Sequence, residues 1–102
     1  MVKHVILWKL KEELTAEEKE NVKAGIKEGL EGLAGKVPGL VDVKVNINGL
    51  PTSTVDVMLD TTFTDADALK AYSTNPLHVA IADGKVRPYT AVRSCLDYEV
   101  KN

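Results

Sequence analysis

Polar and apolar positions alternate from Val2 to Lys11, which predicts a first strand with His4, Ile6, Trp8 and Leu10 on one face and Val5 and Leu7 on the other. Apolar residues on both faces predict a strand that is covered on both sides. From Thr15 the period lengthens. Val22, Ile26, Leu30 and Leu33 recur at four- and three-residue steps, which predicts a helix over 15–34 with one buried stripe. Thr15 and Glu18 have capping-box spacing at its start. Gly25, Gly29 and Gly32 weaken this helix by about 1 kcal/mol each relative to alanine, so either the sheet comes close or space is left above it.

Pro38-Gly39 marks a turn. Alternation returns over 40–47, where Val41, Val43, Val45 and Ile47 share one face and Asp42, Lys44 and Asn46 the other, as in an edge strand with one wet side. Asn48-Gly49-Leu50-Pro51 predicts a hairpin loop leading into a third strand over 54–62. That strand sets Val55, Val57 and Leu59 against Asp56, Met58 and Asp60. Thr64, with Asp67 three residues on, predicts the cap of a second helix carrying Ala68, Leu69 and Tyr72. A short helix over 76–83 follows, ended by Gly84. The last strand, over 89–100, places Val92, Leu96, Tyr98 and Val100 on one face.

This order predicts a single α+β domain over residues 1–102, of the ferredoxin-like βαββα(α)β type, with a four-stranded antiparallel sheet and its helices on one face. The helices leave the second face of the sheet uncovered. A second copy laid on that face is the economical cover, so a homodimer with paired sheets, a dimeric α/β barrel, is expected.

Composition narrows the function classes. Thirteen basic against fifteen acidic residues give a net charge of −2 with no basic cluster, which argues against nucleic acid or an anionic membrane as partner. No signal-peptide pattern or spanning-length apolar run is visible, so a cytoplasmic location is expected. Cys95 is the only cysteine and is read as a buried strand thiol. Two histidines far apart, with no carboxylate at ligand spacing, give no expected metal site and no expected cofactor.

One short stretch carries candidate chemistry. Pro76 disfavours helical geometry at Asn75 and suits the first helical position, which makes Asn75 the N-cap and puts His78 at the third position. The positive end of the helix dipole there opposes a protonated imidazole, so His78 is a candidate general base. Tyr72, near the end of the preceding helix, is its candidate hydroxyl partner.

The chain resembles a known family in Val2-Lys3-His4 of the first strand, Asn75-Pro76-Leu77-His78-Val79 after the second helix, and Asp97-Tyr98 in the last strand. Together these are similar to the stress-responsive α/β-barrel (Dabb) domain, whose common His-Pro-x-His-Val form has Asn75 here in place of its first histidine. The resemblance implies a small dimeric barrel with an apolar cavity. From a plant polyketide cyclase of the family it also implies catalysis, with His78 removing a proton from an activated methylene and Tyr72 bonding the carbonyl or enolate. His4, Ile6, Trp8, Val22, Ile26, Val57, Leu59 and Val79 would line the cavity, with Val22 and Ile26 standing where that cyclase has aromatics. The implied ligand is an enolisable ketone or polyketide-like small molecule that the protein would bind and cyclise or isomerise. The competing readings are a non-catalytic small-ligand binder and a structural stress-associated protein.

Overall fold

In the computed structural model, which describes residues 1–101, the first alternating stretch forms β1, Val2–Leu10. It pairs with the third strand on one side and the last on the other. The elements are β1, α1 (Ala16–Glu31), β2 (Leu40–Asn46), β3 (Val57–Phe63), α2 (Ala66–Thr74), α3 (Pro76–Ile81) and β4 (Thr90–Glu99). The sheet is antiparallel with order β2-β3-β1-β4, and the fold is ferredoxin-like α+β. His4, Ile6, Trp8 and Leu10 are buried beneath the helices, as their shared face requires.

Local chemistry sets each boundary. The α1 capping box is complete: the Thr15 hydroxyl accepts from the Glu18 N–H at 3.1 Å, and the Glu18 carboxylate accepts from the Thr15 N–H at 2.8 Å. Helix α1 ends at Glu31 and caps on Gly32, earlier than residue 34. The α2 cap is Asp65, not Thr64. The Asp65 carboxylate accepts from the Ala68 N–H at 2.8 Å, whereas Thr64 still pairs through its N–H with the Gly39 carbonyl. Strand β3 begins at Val57 rather than 54, because Asp56 replaces the ladder there: its N–H bonds the Trp8 carbonyl and its carboxylate takes the Leu10 N–H.

Two further expectations are corrected. Val41 faces solvent, because the register passes from Leu40↔Phe63 to Asp42↔Thr62 and leaves it as the extra residue of a bulge. Leu40 packs against the core instead. Gly84 does not end the third helix. It lacks the left-handed conformation of a helix-stopping glycine, and the chain winds on through a π-helical turn, Ala82–Val86, and a 3-10 turn, Arg87–Tyr89. The extra turns bury Ala82 and Val86.

The α1 glycines serve a neighbour other than the sheet. A Cβ on Gly29 would lie 2.9 Å from Ile81 Cγ2, so α3 is the element that comes close; Gly25 faces open space. Helix α1 also guards the free edge of β2. The Lys27 ammonium donates to the Val45 carbonyl at 2.7 Å, and the Glu31 carboxylate accepts from the Val45 N–H at 2.9 Å. That backbone bond, then the one from Lys27, holds the Glu31 carboxyl below its ordinary pKa.

The helices do not reach over β4. Cys95, on the helix-side face of β4, is therefore exposed, contrary to the buried thiol expected. On the opposite face Val92, Leu96 and Tyr98 stand exposed beside half-buried Val5, Leu7 and Met58. Such a continuous apolar surface marks a contact face.

Candidate functional site

Helix α2 delivers Tyr72 to the interior. Ala68, Leu69 and Tyr72 occupy one helical face over the sheet, and Tyr72 ends 1% exposed with its ring 5.0 Å from that of Phe63. The chain then breaks at Asn75, whose side chain accepts from the Leu77 N–H at 2.9 Å. Pro76 opens α3, and His78 falls in its first turn as the capping pattern requires. The two rings stack, with centroids 4.0 Å apart and planes 32° from parallel.

A cavity of ≈ 170 Å³ lies between this corner and the sheet. Tyr72 and His78 line it, and so do His4, Ile6, Trp8 and Leu59. The other four expected wall residues do not. Ile26 and Val57 are sealed in the core, Val22 faces a separate groove beside Gly25 and Tyr89, and Val79 is turned away by the helical step after His78. Ala82, Val86, Arg87, Thr90 and Arg93 close the cavity instead. Periodicity does not announce them, because most belong to the π and 3-10 turns, which carry no helical or strand repeat.

Two polar atoms stand out. Tyr72 Oη and His78 Nδ1 are buried and neither has a hydrogen-bond partner among the described residues. Leaving such a group unpaired costs about 1–3 kcal/mol. Burial pushes the Tyr72 phenol up to about 12, so it stays a neutral donor across the physiological range. Burial is also the main reason the His78 imidazole sits below its ordinary value, with the Arg87 guanidinium adding to it. The carbonyls of Ser73 and Tyr72 oppose that shift without reversing it. A neutral, proton-accepting His78 was the sequence expectation, but desolvation rather than the helix terminus is its leading cause.

Tyr72→Phe follows directly. Removing an unpartnered buried hydroxyl while keeping the ring is expected to leave stability unchanged or raise it by up to about 1 kcal/mol in urea unfolding. A loss above that would mean the hydroxyl has a structural partner.

The strand pairing assembles a second cluster. His4 lies opposite Asp97, and its Nδ1 is 2.5 Å from Asp97 Oδ1. Cys95 Sγ lies 3.4 Å from the same oxygen and 3.7 Å from Nδ1. Partial burial works against the Asp97 carboxylate, but hydrogen bonds from His4 and Cys95 outweigh it and hold its pKa below the ordinary value. Burial, then the Asp97 carboxylate, pushes the Cys95 thiol up. Residues 4, 95 and 97 are remote in sequence, so no local spacing could announce them; only the β1–β4 register does. Among the described residues no helix is long and apolar enough to cross a membrane.

Comparison with known proteins agrees with this architecture. A dimeric protein of unknown function with a ferredoxin-like fold from Bacteroides fragilis is 34% identical, covers 97% of this chain and 95% of its own, and superposes with a TM-score of 0.91. A Dabb family protein with a ferredoxin-like fold from Mesorhizobium loti is 17% identical over 99% of this chain and 97% of its own, with a TM-score of 0.74. A hydroxynitrile lyase from Passiflora edulis is 15% identical over 98% of this chain and 93% of its own, with a TM-score of 0.73. No curated protein matches by sequence. The family profile described as Stress responsive A/B Barrel Domain matches residues 2–100, nearly the whole chain that builds the sheet, the cavity and the Tyr72–His78 corner, and the protein belongs to that family, Dabb.

Proposed function

We propose that this protein is a homodimeric small-molecule enzyme that enolises a compact ketone, with His78 as general base and Tyr72 as hydrogen-bond donor to the enolate oxygen. The observation that carries this reading is a pair of buried polar atoms without a partner among the described residues, Tyr72 Oη and His78 Nδ1, on two side chains that line one cavity of mixed polar and apolar wall. A carbonyl compound with an acidic C–H satisfies both. The phenol binds the oxygen, and the Nδ1 lone pair takes the proton as the C–H bond breaks. Returning that proton to the other end of the enolate isomerises the substrate, and attack of the enolate on a second carbonyl cyclises it. A fold neighbour named as a hydroxynitrile lyase is consistent with lyase chemistry on this architecture.

Size narrows the substrate. At ≈ 170 Å³ the cavity matches the roughly 150 Å³ that holds benzene and lies below the roughly 300 Å³ where ordinary ligand pockets begin. The fit is to a ring-sized ketone rather than to an extended poly-β-ketone.

Exchange of α-hydrogens of cyclohexanone for deuterium, followed by proton NMR, tests the reading. Catalysed exchange is expected to rise with pH through the lowered His78 pKa, below about 6.5, because only neutral imidazole accepts a proton. It then stays level on the alkaline side, since Tyr72 holds its proton to about 12. His78→Ala is expected to reduce exchange by about 10²-fold or more with unchanged melting temperature. Exchange equal to wild type in that variant removes His78 from the chemistry. Saturation transfer from protein to cyclohexanone without exchange would identify a binder instead.

A further inference from the structure

His4, Cys95 and Asp97 take no part in the proton transfer assigned to His78. We propose that they form a binding site for a borderline-soft divalent cation of the zinc type, with the fourth coordination position left to water.

The geometry supports this. The three donor atoms lie within 4.8 Å of one another. Tetrahedral zinc, with bonds of about 2.0–2.1 Å to nitrogen and oxygen and about 2.3 Å to sulfur, needs ligand separations of about 3.5–3.6 Å for pairs that include sulfur and about 3.3 Å for nitrogen to oxygen. Cys95 Sγ already lies 3.7 Å from His4 Nδ1 and 3.4 Å from Asp97 Oδ1. Only the 2.5 Å contact between His4 and Asp97 must open, and it is a hydrogen bond that a cation replaces. The Asp97 side chain is 47% exposed and free to swing, whereas the His4 side chain is 9% exposed. The His4 ring is held edge-on by Phe63 and Tyr72 at 6.3 and 6.2 Å, and its carbonyl accepts from the Thr61 hydroxyl at 2.6 Å. One fixed imidazole and two mobile donors on adjoining strands suit a site that fills reversibly.

The donor set selects the ion. A thiolate disfavours magnesium and calcium, and one donor each of nitrogen, sulfur and oxygen matches zinc-like ions. Three protein ligands with one open position is the arrangement of sites that keep a bound water. On binding, the thiol proton leaves to solvent and the imidazole proton moves from Nδ1 to Nε2, so no oxidant or reductant is involved. Arg93, opposite Trp8 and two residues before Cys95, sets a positive charge beside the cluster and moderates the affinity.

The test is titration of the chelator-stripped protein with zinc by calorimetry and with cobalt by absorption. The expected result is one ion per chain at micromolar affinity or tighter, with a thiolate-to-cobalt charge-transfer band. Cys95→Ser is expected to abolish that band, and Cys95→Ser and Asp97→Asn each to weaken zinc binding by about tenfold or more. His78→Ala is expected to leave binding unchanged, so the result is independent of the enolisation reading. No heat with zinc in excess, undiminished affinity in the Cys95→Ser/Asp97→Asn double variant, or loss of binding in His78→Ala would each overturn the site.

Discussion

Gly39→Ala is expected to remove about 2–5 kcal/mol of folding stability, a large share of the roughly 5–15 kcal/mol typical of a domain. Two independent costs add. Gly39 has φ +80°, where an alanine is strained by about 1–2 kcal/mol. The new methyl would also sit 2.4 Å from Ala68 Cβ and 3.2 Å from Thr64 Oγ1, an overlap that α2 relieves only by moving off the sheet, at about 1–3 kcal/mol. Gly35 separates the two costs. Its φ is +77°, but a Cβ there meets nothing within 4 Å, so Gly35→Ala is expected to show the conformational cost alone. Urea unfolding of both variants measures the difference, and equal losses would show that the Ala68 contact is readily absorbed. Because α2 carries Tyr72, any displacement that spares the fold is expected to disturb the cavity.

The second large effect concerns the uncovered sheet face. In the proposed homodimer, Leu7 and Leu96 meet the partner's sheet. Replacing both with glutamate is expected to halve the mass measured by light scattering at micromolar concentration. Leu96 is 63% exposed in the single chain and Leu7 half-buried, so the substitutions cost the isolated fold little. Against a partner sheet, each buried carboxylate would face a desolvation cost of several kcal/mol. The face already holds one charged pair, Lys3 with Asp60 at 2.6 Å, but the Lys3 ammonium is also bonded to the Thr62 hydroxyl at 2.9 Å and brings its countercharge with it. A wild-type mass equal to one chain would refute the dimer before any variant is made.

Periodicity carried the fold because each element is amphipathic at its own period. Residues 2–10 repeat in twos and Val22 to Leu33 in threes and fours, and neither pattern competes with the other. The Thr15 and Asn75 caps were legible for a related reason: each bonds an N–H two or three residues on. What failed was non-local or depended on backbone detail. The Val41 bulge depends on how β2 registers against β3, and the π turn depends on a φ at Gly84 that composition does not reveal. Tyr72 and His78 could be placed together across six residues of chain. The rest of the cavity wall could not, because its residues come from turns without a repeat. Asp97 and Cys95 meet His4 only through strand pairing, so this cluster is invisible to any reading of local spacing.

The β1–β4 pairing has a consequence for how the molecule comes into being. Strand β1 leaves the ribosome well before β4, which is made some ninety residues later. Until β4 arrives, His4 lacks Asp97, the seam beside Trp8 is open, and the apolar side of β1 has no neighbour on that edge. Contacts of such long sequence separation close slowly, and a central strand waiting for its mate is exposed to wrong pairing meanwhile. Strand β1 is therefore completed late, and chemistry at the β1–β4 seam becomes available only when β4 has been delivered.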